Sequence, residues 1–281
     1  MSVFLLNKVP RYRQIAPVTV PQKVETEYQQ LLVSMTSPML EAIGLALIGI
    51  GDRPDARQAL TILRDLENRW DKTFELPAQT IGNQWAQDVS GQAKTRLERS
   101  ISNVLGKNIV IVDDPSVWDS VSLSAQEAAN LIKTIPKDCL GKVSQAVVEA
   151  ARSNPLPENR TLAEEIAEIG KITMDRAELI AKDQTSKMNT AINQIRQTSI
   201  GIEEYYWRTR EDNRVVGAPG GLYPKGNKVH GNHYIRNGLL FRWDEPPPDG
   251  HPGYAINCRC KAIPRLNRND IRWIGVGYRQ K

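Results

Sequence analysis

The sequence predicts an α+β chain: a mostly helical N-terminal and central body, followed by a small C-terminal domain of short strands and ordered loops. Three observations carry this expectation. Residues 20–206 are rich in Ala, Leu, Ile, Glu, Gln and Lys and poor in aromatics, a helix-forming composition. Within that span apolar residues recur at spacings of three and four, the period of one helix face. Residues 207–281 are instead rich in Gly, Pro, Tyr and Trp, with short apolar runs between turn signals. The expected organisation is a helical N-terminal region over 1–115, a helical central region over 116–204 and a C-terminal domain over 205–281.

The elements follow in order. Residues 3–6 are the only apolar run at the start and no small-residue cleavage site follows, so no secretory signal is expected. The most apolar stretch, residues 39–50, follows Pro38, contains Glu41 and ends at Gly51 and Asp52. It falls short of the ~20 residues that cross a bilayer, which predicts a buried helix and no membrane partner. Residues 22–50 are expected as one or two helices, 56–74 as another and 84–105 as a continuation. The β-branched run at 109–112 reads as a strand or an extended link. Asp113 and Asp114 invite a metal reading, but before Pro115 they read as turn chemistry. Ser124 and Glu127 have the capping-box spacing and are expected to open a helix that Pro136 closes. Thr161 and Glu164 repeat that spacing after the breaker at 154–157, and start a helix expected to end at Gly170. Thr173 then reads as the N-cap of the longest helix, at about 174–198. One face of it carries Ala177, Ile180, Ala181, Gln184, Met188, Ala191, Ile192 and Ile195; the other carries Arg176, Lys182, Lys187 and Arg196.

Charge is divided unevenly along the chain. Residues 207–281 hold 14 Lys/Arg against 6 Asp/Glu, whereas residues 1–206 hold 23 against 26. A basic end on a slightly acidic body suits a polyanion or an acidic protein; spread-out arginines also simply keep a domain soluble. Three cysteines make no disulfide framework and fit a reducing cytoplasm. No phosphate loop and no Gly-x-Ser-x-Gly elbow is present, so the chain is not expected to be an enzyme.

The informative stretch begins at Gly201. Residues 204–208 read as a short strand, Asp212 and Asn213 as a turn, and Asn237-Gly238 as a hairpin signal between two extended segments. Residues 246–250, Pro-Pro-Pro-Asp-Gly, make a stiff loop, and 255–262 a last strand. Along the chain stand, in order, residues 180–184 (Ile-Ala-Lys-Asp-Gln), Gly201 with Ile202, Trp207 with Thr209, and Asp212 with Arg214. Then follow His233, Gly238, Phe241, Trp243 with Asp244, Pro252 with Gly253, and Asn257-Cys258-Arg259-Cys260.

That ordered set, spanning about residues 120–265, resembles the C-terminal domain of phage head-morphogenesis proteins, the family of the phage Mu minor head protein F. Each match alone is weak; the order is specific. Two positions depart from the family pattern: Lys182 stands where an Arg is usual, and residues 217–231 form a Gly/Pro-rich insertion. The resemblance implies a minor head protein of a tailed bacteriophage, present in few copies near the portal and needed for head assembly or DNA delivery. It implies the virion as location, reached from the host cytoplasm, with the portal protein, other head or scaffold proteins and phage DNA as partners.

One constellation suggests chemistry. His230-x-x-His233, His251 and Cys258-x-Cys260 combine imidazole and thiolate, which suit a tetrahedral structural zinc held by His233, Cys258 and Cys260. Cys-x-Cys is tighter than the usual Cys-x-x-Cys, and on a strand both sulfurs would face one side, which serves a metal or a metal-free packed core equally. His230-Gly-Asn-His233 also has the look of a metal-nuclease site, but the helix such a site needs does not follow it. A nucleic-acid-binding module without catalysis would use Lys225, Lys228, Arg236, Arg242 and Arg265 on phosphates, with aromatics stacking on bases.

Overall fold

The computed structural model describes residues 12–52, 54–152, 160–226, 231–267 and 276–278. The chain is α+β; among the described residues there are four long helices and a small four-stranded antiparallel sheet. In order it runs β1 (Tyr12–Gln14), α1 (Gln22–Leu47), α2 (Ala56–Leu105), β2 (Ile109–Ile111), α3 (Pro115–Arg152), α4 (Leu162–Ser199), β3 (Glu204–Arg208), a 3-10 turn (Tyr234–Arg236), β4 (Leu240–Arg242), β5 (Lys261–Asn267) and β6 (Val276–Tyr278).

Contacts group the chain into two compact units. The first comprises Gln22–Ala86 and Ser122–Gln184, the second Met1–Pro21, Gln87–Val121 and Thr185–Lys281. The segments expected from composition follow the sequence, whereas α2, α3 and α4 each supply residues to both units.

The first unit is helical. Its helices are longer than their punctuation suggests, because Pro38, Pro77 and Pro136 lie inside α1, α2 and α3 rather than at their ends. The apolar stripe passes each proline in register: Leu32, Thr36, Met39 and Ile43; Trp70, Phe74 and Ala78; Ile132, Ile135 and Cys139 are all buried. One interior proline costs about 3 kcal/mol. Burying each large apolar side chain of the stripe returns roughly 1.5–3 kcal/mol, so packing outweighs the breaker. The same imbalance corrects the expected helix at 124–136. Ser124 and Glu127 lie within α3, which starts earlier. Asp114 caps it, its Oδ1 accepting from the Ser116 backbone N at 2.9 Å, with Pro115 in the first turn.

Gly170 and Thr173 likewise do not divide α4. A Cβ at Gly170 would meet the Leu40 side chain at 3.8 Å, and Thr173 Oγ1 donates back to the Ile169 carbonyl at 2.7 Å. The true start matches the second capping box. Glu164 N donates to Thr161 Oγ1 at 3.2 Å, and Thr161 N to Glu164 Oε2 at 2.8 Å. The breaker at 154–157 lies outside the described residues. By length and composition α1 could cross a membrane. Its buried residues, from Val24 and Tyr28 to Ile43 and Leu47, nevertheless fall at helical spacing and form a packed face.

The second unit holds the sheets. One has the order β1-β5-β3-β4, the other pairs β2 with β6, and every pairing is antiparallel. Ile15, Val18, Leu97, Ile109, Ile111 and Leu266 form one apolar core; Tyr205, Trp207 and Trp243 form another, covered by Phe241 and Cys260. The expected strand at 255–262 is corrected: residues 251–257 are turns, and β5 begins only at Lys261. Pro264 obscured it. The proline sits opposite Tyr205 in register, and its carbonyl accepts from Ile15 N at 3.2 Å. Its missing N–H therefore faces β1 where that strand has already ended at Gln14, so no ladder bond is lost. The extended segment expected before Asn237 is the 3-10 turn instead; Gly238, at φ 81°, donates to the Trp207 carbonyl at 2.7 Å and leads into β4.

Candidate metal centre

Most of the residues singled out by their order along the chain meet in the second unit. Trp207, fully buried on β3, forms the floor, with Phe241 at 5.4 Å and the His233 ring at 5.1 Å. The chain turns after β3 at Asp212, whose Oδ1 accepts from Arg214 N at 3.1 Å. Both Asp212 oxygens take the Arg259 guanidinium, at 2.6 and 2.7 Å, which holds its carboxyl down to about 2. That fork ties the turn to the Cys258-Arg259-Cys260 segment. Asn257 precedes the segment at φ 59°, a left-handed conformation that asparagine tolerates better than most side chains.

The turn that precedes this segment, at Pro252 and Gly253, is docked on α4. Thr190 Oγ1 donates to the Pro252 carbonyl at 2.7 Å, and Ser186 Oγ to the Gly253 carbonyl at 3.1 Å. Gly253 sits at φ 98°, and a Cβ there would come within 2.5 Å of Thr190 Oγ1. Gly253→Ala is therefore expected to destabilise by about 1–3 kcal/mol, from backbone strain and the clash together. Gly220→Ala, at φ 70° in open space, pays the strain alone. Denaturant titration that found equal losses for the two would remove Thr190 from the explanation.

His233, Cys258 and Cys260 converge. His233 Nδ1 lies 3.6 Å from Cys258 Sγ and 3.5 Å from Cys260 Sγ, and the three atoms are mutually within 4.8 Å. Zinc–sulfur bonds of about 2.3 Å and zinc–nitrogen bonds of about 2.05 Å at tetrahedral angles place nitrogen and sulfur roughly 3.5 Å apart. The trio has the spacing of ligands around one ion. The cysteines reach it from a loop rather than a strand, so the alternation argument for their common direction does not apply.

A buried carboxylate orients the imidazole. Asp249 Oδ2 is 2.9 Å from His233 Nε2, while Arg236 lies 2.7 Å from Asp249 Oδ1 and donates to Oδ2 at 3.0 Å. Nε2 thus carries the proton and Nδ1 turns its lone pair to the sulfurs, the arrangement that fixes metal-binding histidines elsewhere. Burial alone would push the Asp249 carboxyl up, but its bonds to Arg236 and His233 prevail and hold it low. For His233 burial works against charge, yet Cys258 and Asp249 raise its basicity. The bond from Cys260 holds the Cys258 thiol well below its usual range, against burial, helped by His233 and by Gly253 N at 3.3 Å. Cys260 is pushed up by Cys258 and by burial.

Other expected site residues take different places. His251 is turned away from the trio: Nδ1 meets the Tyr205 hydroxyl at 2.8 Å and Nε2 the Trp243 carbonyl at 3.1 Å. Arg236 is largely buried, its guanidinium 4.9 Å over the Trp207 ring as well as on Asp249. Arg242 pairs with Asp244 at 2.8 Å, and Arg265 with Glu204 at 2.6 Å. Lys225 is exposed, whereas Lys228 and His230 lie outside the described residues. Of the two residues that build the support behind His233, Arg236 was expected on phosphates and Asp249 was not expected at the site. Asp249 read as loop chemistry in Pro-Pro-Pro-Asp-Gly, and only its pairing across the fold reveals its role.

The chain is similar over 279 residues, at 30% identity, to an uncharacterized protein of Haemophilus influenzae (strain Rd). The match covers 95% of this chain and 58% of that protein, so the chain spans little more than half of the relative's length. No family model matches the chain, and no solved structure matches it.

Proposed function

We propose that this chain is a structural minor head protein of a tailed bacteriophage, acting in head assembly near the portal, with zinc held by His233, Cys258 and Cys260. The reading rests on the ordered motif that resembles the head-morphogenesis family, and one observation supports it above others. Residues scattered from Trp207 to Cys260 each take a defined place in one small folded unit: Trp207 as floor, Asp212 on Arg259, His233 on the sulfurs, Gly238 and Asn257 at left-handed turns. A chance set of weak matches has no reason to be spatially coherent. The partners would be the portal protein and other head or scaffold proteins. Contact with DNA has weaker support, because Arg236, Arg242 and Arg265 already hold carboxylates.

The test is composition of the particle. Mass spectrometry of purified heads, mature and immature, should find the chain at a few copies per particle, and loss of its gene should leave heads unassembled or unable to deliver DNA. Absence from both kinds of head would end the structural reading.

A further inference from the structure

A metal on Cys258, Cys260 and His233 has three protein ligands. Among the described residues no fourth histidine, cysteine or carboxylate joins them, and His251 is committed to Tyr205 and Trp243. A closed structural zinc has four protein ligands; three ligands beside a cavity are the pattern of a site that binds something else in the fourth position. Such a cavity is present. A pocket of about 380 Å³ is lined by all three ligands together with Arg210, Arg214 and Arg259. That volume suits a small ligand or one group of a larger one.

The chemistry of the lining is one-sided. It contains three guanidinium side chains and no carboxylate. Arg259 is neutralised by Asp212, and Arg214 lies 3.9 Å from the same carboxylate. Arg210 is exposed and, among the described residues, has no ion-pair partner. A dication balanced by two thiolates contributes no net charge, so excess positive charge comes from the arginines. Planar guanidinium groups beside a Lewis acid match the tetrahedral oxygens of a phosphoryl group.

We infer that the centre is an open one: the metal held by Cys258, Cys260 and His233 accepts a phosphoryl oxygen in its fourth position, delivered through the cavity that Arg210 and Arg214 line. The inference rests on the metal reading above and adds a ligand class to it. The ligand is either free phosphate or a phosphate of a nucleic-acid backbone, and the site shares the same chemistry for both.

Zinc is spectroscopically silent, so the full-length protein is loaded with Co²⁺, whose visible absorption reports its coordination. Metal is counted first, then inorganic phosphate is titrated, and separately a short single-stranded oligonucleotide. The expected result is about one Co²⁺ per chain and a saturable change in the visible bands with phosphate. Arg210→Gln should weaken that response about tenfold or more, the loss of a hydrogen bond to a charged group. His230→Ala should leave the phosphate-free spectrum unchanged. An oligonucleotide response at lower phosphate concentration than the free ion identifies the backbone as the source; response to the free ion alone identifies phosphate. Bound Co²⁺ whose spectrum ignores both ligands overturns this inference and leaves the metal reading standing. A His230→Ala spectrum that differs without ligand also overturns it, by supplying the fourth donor from the chain. No bound Co²⁺ removes both.

Discussion

If the trio holds an ion, Cys258→Ser is expected to abolish metal binding and to destabilise the β3–β5 region by more than a small core substitution there, and chelation of the wild-type protein is expected to do the same. The reason is chain entropy as well as bond strength. His233 and Cys258 are 25 residues apart, with the turn at Gly238, β4 and the proline-rich loop between them. An ion that joins the two ends holds this loop in its folded conformation. Complete zinc sites in small domains contribute about 10–16 kcal/mol of apparent binding energy, and a three-ligand site contributes less but still several kcal/mol. Chelation should therefore melt the sheet before the helices, seen as loss of near-ultraviolet signal from Trp207 and Trp243 while helical far-ultraviolet signal persists. Cys139→Ala is the control, since Cys139 is buried among helices, in the unit that lacks the trio. Metal analysis that finds no zinc, with a melting curve indifferent to chelators, would reduce the trio to a packed thiol–imidazole cluster. The head-protein proposal would survive that result, because it rests on the order of the motif and not on the ion.

Much of this was legible in the sequence where local chemistry decides the outcome. The strand at Glu204–Arg208 and the capping box of Thr161 and Glu164 are marked by local residue types and stand where expected, and the β-branched run at 109–112, open between strand and link, forms a strand at Ile109–Ile111. The trio of His233, Cys258 and Cys260 was legible because few side chains bind soft metals. What stayed hidden depends on partners far along the chain. Pro38, Pro77 and Pro136 look like stops until the buried stripe on both sides is known. Pro264 looks like the end of a strand until β1 is seen to stop just short of it. Asp249 looks like a turn residue until His233 and Arg236 fold onto it. Arg196 shares with Arg176, Lys182 and Lys187 the face opposite the apolar stripe, a position where an arginine ordinarily faces water.

Arg196 is in fact among the most enclosed side chains of the protein, 1% exposed. Its Nε donates to Asp113 Oδ1 at 2.7 Å and its Nη2 to Oδ2 at 3.1 Å, a two-point contact, while Nη1 and Nη2 reach the Ser90 carbonyl and hydroxyl at 2.8 Å each. Lys94 adds a second cation, 3.3 Å from Asp113. Asp113, expected as turn chemistry, is instead the buried anion that couples α4 to the segment after β2. Arg196→Met should cost roughly 3 kcal/mol or more, since removing one partner strands a buried charge; Lys94 keeps the loss at the lower end of what buried pairs show. Asp113→Asn in the same background should cost little further, because the two changes remove one interaction. Acid sensitivity follows from the carboxyl. Burial pushes it up, but the Arg196 and Lys94 contacts prevail and hold it below its ordinary value. A carboxyl depressed in the folded state stabilises fully above its unfolded value of about 3.9, and that stability is lost as pH falls through the lower folded value. The difference between wild type and Asp113→Asn, followed by urea titration, should be constant from pH 7 to about 5 and shrink below about 4. A difference that stays constant down to pH 2.5 would mean that the carboxylate charge contributes nothing and that Arg196 is held by Ser90 and packing alone.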